Sequence, residues 1–155
     1  MGELEQRLHD DMVAAMRERD KPRTDTLRMA IAAIRSEKVA GKQARELTGE
    51  EELAVVRREV NKRRDSAEAY SAANRPELAE KEMAEAALLS GYLPEPLSDA
   101  ELSNMVAEEI AALTDQTGVA PTMKHMGQIV RAVNARSEGR AEGRAVAAEV
   151  RKQLG

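Results

Sequence analysis

A chain of 155 residues with a formal charge of −4 and no cysteine is long enough to bury a core unaided, and disulfides, thiolate nucleophiles and cysteine metal sites are excluded. Only Tyr70 and Tyr92 are aromatic, whereas Ala, Glu, Arg and Leu abound, a composition that favours helices over a sheet core. No run reaches the roughly 20 apolar residues of a membrane span, and the start MGELEQRLHDD has neither a basic nor an apolar leader region, so the expectation is an all-α, cytoplasmic protein.

Leu4, Leu8, Met12 and Met16, with Ala15, recur at helical spacing and predict a first helix over about residues 3–19. Asp20 is placed to cap the next helix. Pro22 falls in its first turn, where a missing N–H costs nothing, and Leu27, Ala30, Ile31 and Ile34 form its inner stripe up to a stop at Gly41. Thr48 with Glu51 makes a capping box that opens a helix of about 25 residues, its inward positions being Leu53, Val56, Val60, Ala67 and Tyr70. Asn74 with Glu77 reads as a second box, Pro76 again in the first turn, and Leu78, Ala86, Ala87, Leu88 and Leu89 supply the inner face.

Pro94 and Pro96 break the helical pattern. This places an N-terminal helical domain at residues 1–92, a Pro-containing linker at 93–97 and a C-terminal domain at 98–155. Ser98 with Glu101 is a third capping box, followed by inward Leu102, Met105, Val106, Ile110 and Leu113, until Gly118 and Pro121 end the pattern. Met123, Met126, Val130 and Val133 mark one short helix, and Val146, Val150 and Leu154 another, separated by a turn at residues 139–143. The expected architecture is four N-terminal helices, one of them long, followed by a small three-helix bundle.

Charge is unevenly spread along this plan. Residues 94–119 carry Glu95, Asp99, Glu101, Glu108, Glu109 and Asp115 with no Lys or Arg. Residues 120–155 set seven bases (Lys124, Arg131, Arg136, Arg140, Arg144, Arg151 and Lys152) against Glu138, Glu142 and Glu149. Such a local excess of positive charge is where a polyanion would dock. Arg136, Arg140 and Arg144 surround Gly139 and Gly143, where a tight backbone turn offers N–H groups beside guanidinium forks. Lys124, Arg131, Arg136, Arg140 and Arg144 are therefore the candidate contacts to an RNA backbone. The run RREVNKRRD supplies a secondary basic face: Arg57, Asn61 and Arg64 share one side of the long helix, with Arg58 and Lys62 beside them. Its competing reading is a solvated face with ion pairs to Glu59, Asp65 and Glu68.

No catalytic set emerges. His9 and His125 stand far apart without a partner at a metal-ligand spacing, and capping or solvent-facing roles account for them. No serine comes with an identifiable base and orienting group. Neither G-x-x-x-x-G-K-[ST] nor G-x-G-x-x-G occurs, so the usual nucleotide loops are missing. Glu50, Glu51 and Glu52 suit the positive end of a helix better than magnesium, and Met123 and Met126 read as core fillers. The expectation is no catalytic residue, no cofactor and no metal.

Several segments resemble one family. DDMVAAMRERDK from Asp10 and LRMAIAAIRSE from Leu27 are similar to the opening helices of the YqeY proteins of the GatB/YqeY family. REVNKRRDSAEAY from Arg58 is similar to their long third helix, ELAEKEMAEAALLSGYLPEPLSDAEL from Glu77 to their fourth helix and linker, and HMGQIVRAVNARSEGRAEGRAVAAEV from His125 to their Met-Gly helix and Gly-bounded turn. The resemblance covers nearly the whole chain. It implies a two-lobed all-α protein whose C-terminal lobe is similar to the tail domain of the B subunit of the tRNA-dependent amidotransferase, a carbon–nitrogen ligase with glutamine as amido donor. In that enzyme the tail contacts tRNA, and the chemistry belongs to a catalytic domain and a partner amidase, neither of which this chain resembles. The implied role is a non-catalytic accessory module in translation that binds tRNA or a tRNA-handling complex; the alternative is a protein–protein adaptor without RNA. Two departures bear on the site: His125 and Gln128 stand where the family has an acid before Met-Gly and a Lys after it, removing one phosphate contact, and Glu142 replaces the usual Asp.

Overall fold

Short polar side chains start several of these helices. Asp20 accepts from the N–H of Arg23 at 3.2 Å, and the Thr48/Glu51 and Ser98/Glu101 boxes both form reciprocally, each satisfying donors that the first turn leaves without partners. The computed structural model describes residues 1–155, entirely as helices and turns, with no strand. The chain divides into two compact units, Met1–Leu93 and Pro94–Gly155. The first holds α1 (Glu3–Arg17), α2 (Lys21–Lys38), α3 (Gly49–Ala72) and α4 (Pro76–Ser90); the second holds α5 (Asp99–Thr117), a 3₁₀ turn (Met123–His125), α6 (Met126–Ser137) and α7 (Gly143–Leu154).

In the first unit α1 packs on α2 and α3 on α4, and α2 and α3 bring the two pairs together. Leu8, Leu27, Ile34, Val56, Val60, Leu89 and Tyr92 fill the resulting core, each aliphatic side chain contributing about 1.5–3 kcal/mol on burial. The second unit has a smaller core of Leu102, Val106, Leu113, Ile129, Val133, Val146 and Val150. Every one of these side chains is aliphatic.

Three local expectations are corrected. The Asn74/Glu77 box does not form, because Asn74 adopts a left-handed conformation (φ 58°), Arg75 takes the N-cap position without a side-chain cap, and the Arg75 guanidinium pairs with Glu77 instead. The second helix stops at Lys38, with Val39 as its C-cap, short of Gly41. Met123 is 47% exposed and lies in the 3₁₀ turn ahead of α6, so it fills no core; Ile129 joins Val133 in the buried stripe, with Val130 partly buried against the same core.

The buried stripe of α3 also contains two charged residues, Glu52 and Arg63. Arg63 is 3% exposed and donates to Glu85 of α4 at 3.2 Å and to Glu59 at 3.1 Å, on both its carboxylate and its carbonyl. Glu52 reaches the N-terminus of α1, where its carboxylate accepts from the N–H of Glu5 at 3.0 Å. It thus caps a helix remote in sequence, aligned with the positive end of that helix. Gly2 makes room for it: a Cβ there would fall 2.2 Å from the Glu52 carboxylate. Glu5 itself is buried against Lys38 (2.7 Å) and Arg35 (3.2 Å). Burial alone would raise its pKa, but the hydrogen bonds and charges of Lys38 and Arg35 outweigh that and hold it below the ordinary value.

Tyr92 closes the first unit. Its hydroxyl donates to Asp11 and the Arg7 guanidinium lies 4.6 Å above its ring, a cation–π contact. Burial first, and then the Asp11 hydrogen bond and charge, push the phenol up to about 12.

Candidate nucleic-acid interface

The basic tail residues sit on α6, on α7 and on the turns that precede and join them. The 3₁₀ turn is held by Thr122, whose hydroxyl accepts from the N–H of Lys124 and whose own N–H donates to His125 Nδ1 at 3.0 Å. His125 is therefore a capping residue, and it leaves the Lys124 side chain exposed. Arg131 lies along α6 with a guanidinium nitrogen 3.8 Å from where a side chain at Gly127 would begin; Gln128, Arg131 and Ala135 share that face by their spacing of three and four residues. Arg144 occupies the first turn of α7, exposed, just after Glu142 at the N-cap. Lys124, Arg131 and Arg144 make no ion pair.

Arg136 and Arg140 are held differently. The two terminal nitrogens of Arg136 contact two separate carboxylates of α5, Glu108 at 2.6 Å and Glu109 at 3.1 Å. The turn that carries Arg140 is left-handed at both Glu138 (φ 48°) and Gly139 (φ 79°); glycine accepts this freely. From there Arg140 Nε donates to the Glu95 carbonyl at 2.8 Å, its guanidinium stands 3.8 Å from Glu101, and its own carbonyl accepts from the N–H of Leu97 at 2.8 Å. Glu101 is held below its ordinary pKa chiefly by the Ser98 backbone and hydroxyl, with a smaller contribution from Arg140. The fold thus joins the acidic stretch to the basic one: of the five tail cations named from the sequence, three project freely and two face carboxylates. The sequence places Glu108 and Glu109 in the acidic stretch without assigning them a partner; their pairing with Arg136 comes from the packing of α5 against α6.

On the long helix, Arg58 pairs with Glu37 of α2 at 3.0 Å and Arg64 donates to the Ser90 hydroxyl of α4 at 3.5 Å. Arg57 is partly buried and Lys62 exposed. The carboxylates expected to neutralise this face, Glu59, Asp65 and Glu68, are not those that Arg58 uses; Glu59 serves the buried Arg63 instead. No group of three or more His, Asp or Glu side chains is arranged to hold a metal ion, and no helix is long and apolar enough to cross a membrane.

An all-helical chain of two units, with a basic helix pair set against an acidic helix in the second, is the class of protein that the fold and the surface define. Its family follows from comparison: the profile of the family described as Yqey-like protein matches residues 5–154, and the chain belongs to that family. It is also similar to the protein named altered inheritance of mitochondria protein 41, mitochondrial, from Pyrenophora tritici-repentis (strain Pt-1C-BFP), with 28% identity over 134 residues, spanning 84% of this chain and 71% of that protein.

Proposed function

We propose that this chain is a cytoplasmic accessory module of translation, without chemistry or a cofactor of its own, which binds tRNA through the C-terminal unit. The observation that carries the reading is the trio Lys124, Arg131 and Arg144: exposed and without carboxylate partners, on a unit whose Arg136 and Arg140 are engaged. Phosphates are the natural partners of such groups, and the resemblance of this tail to the tRNA-contacting tail of the amidotransferase B subunit points to tRNA. Arg136 and Arg140 add two more cations to the same unit once their acids yield. Arg57, Arg58, Lys62 and Arg64 form a secondary face that a bulky RNA reaches only if it also touches the first unit.

The test is a titration of the purified chain with tRNA at several salt concentrations. Three phosphate contacts imply a slope of about −2 to −3 in log affinity against log salt. Changing Lys124, Arg131 and Arg144 together to Ala should abolish binding. No binding by the unaltered chain even at low salt would overturn the reading. In that event the adaptor alternative gains weight, and one observation already favours it: Val119 and Met123, at the loop between α5 and α6, are 68% and 47% exposed, a small apolar surface whose contacts would persist at high salt.

A further inference from the structure

Resting on the RNA reading above, we infer that Glu108 and Glu109 form a built-in phosphate mimic that occupies Arg136 and sets how tightly the C-terminal unit holds RNA. Each terminal nitrogen of Arg136 meets its own carboxylate oxygen, at 2.6 Å and 3.1 Å. This is how a guanidinium fork engages two oxygens of one phosphate. Two acids adjacent in sequence supply together what a phosphodiester would supply alone.

The setting of the pair supports exchange over permanence. Arg136 is 40% exposed, Glu108 62% and Glu109 22%, so water and salt reach the contact chiefly from the Glu108 side and screen it there. Arg63, by contrast, has a side chain 4% exposed and is sealed between α3 and α4. Underneath the Arg136 pair, Val106 and Val133 are fully buried and hold α5 against α6 by apolar contact. Opening the ion pair therefore leaves the packing in place. A dense polyanion competes for Arg136 at little structural cost, whereas an isolated carboxylate or phosphate of low charge does not. The acids thereby act as a threshold: they discount weak anions and repel any phosphate that fails to displace them. Arg140 shows a looser version of the same arrangement, with Glu101 at 3.8 Å.

The experiment measures tRNA affinity and its salt slope for the full chain and for Glu108→Gln/Glu109→Gln. Removing the mimic should tighten binding about tenfold at low salt, and the slope should steepen by about 1 as Arg136 gains a phosphate. Adding Arg136→Ala to that variant should cancel most of the gain, while Arg136→Ala alone should change little. A second variant, Glu95→Gln/Asp115→Asn, removes the same charge from the same unit without touching Arg136, and should tighten binding less than threefold. Equal tightening in both double variants would overturn the inference in favour of bulk charge, as would no tightening in either. Both of those outcomes leave the RNA reading standing, because the unaltered chain still binds. Absence of binding by every variant, including Glu108→Gln/Glu109→Gln, would overturn the RNA reading and this inference with it. Far-ultraviolet circular dichroism of each variant confirms that the helices persist.

Discussion

Replacing Arg63 with Ala should destabilise the first unit by about 3 kcal/mol. Removing one partner of a buried ion pair typically costs about 3–5 kcal/mol, because the remaining charge is left uncompensated. The lower end applies here, since the Glu59 and Glu85 side chains retain 16% and 20% of their exposure and recover some hydration. For a unit of this size the loss corresponds to a fall of roughly 10–20 °C in melting temperature. The two tyrosines, Tyr70 and Tyr92, both lie in the first unit, so urea unfolding followed by near-ultraviolet tyrosine dichroism reports on that unit alone. The variant Arg63→Met/Glu59→Gln/Glu85→Gln separates charge from shape: it keeps the volume and removes all three charges, and should return to within about 1 kcal/mol of the unaltered chain. A loss below about 1 kcal/mol in Arg63→Ala would refute the claim that the charge is buried, and a triple variant as unstable as the single one would show that the guanidinium's shape matters more than its charge.

Four further substitutions, at Tyr92, Glu52 and Gly2, probe the first unit by urea unfolding. Tyr92→Phe removes a hydrogen bond to a carboxylate and should cost about 1–2 kcal/mol at pH 7. The folded phenol titrates at about 12, above the unfolded value near 10. Its stabilising contribution is therefore complete below pH 10 and is lost as the pH rises through 12; urea midpoints between pH 7 and 11 should begin to fall above pH 10 in the unaltered chain and fall less in Tyr92→Phe. Glu52→Ala removes the cap on α1 together with buried methylenes and should cost about 2–3 kcal/mol, whereas Glu52→Gln, which keeps an acceptor, should cost about 1 kcal/mol. If Gly2→Ala leaves stability unchanged, the tight seat of the Glu52 carboxylate is wrong.

What the sequence reveals about this fold is mostly what acts within four residues. Asp20, Thr48 with Glu51, and Ser98 with Glu101 cap as their spacing indicates, because donor and acceptor belong to the same turn. The failure at Asn74 is local too: a left-handed residue there moves the N-cap to Arg75, and amide side chains tolerate that conformation better than most. Charged residues in a buried stripe are harder to see. Glu52 answers an N–H 47 positions away and Arg63 a carboxylate 22 away, and apolar periodicity simply skips both. The same holds in the tail, where composition picks out the cations but not which of them are engaged. Arg136 finds Glu108 at a separation of 28 residues, and only the packing of α5 against α6 makes them neighbours.

The contact between Leu97 and Arg140 has a practical corollary for dissecting the chain. Two hydrogen bonds, Leu97 N–H to the Arg140 carbonyl and Arg140 Nε to the Glu95 carbonyl, stitch the proline-containing stretch to the turn between α6 and α7. A fragment cut at Ser98, where the helix begins, would discard one half of that seam. The Arg140 carbonyl would lose its main-chain donor and the left-handed turn its anchor, loosening the loop that presents Arg140 and Arg144. An autonomous tail is better begun at Pro94, and a fragment begun four residues later would understate what this surface can bind.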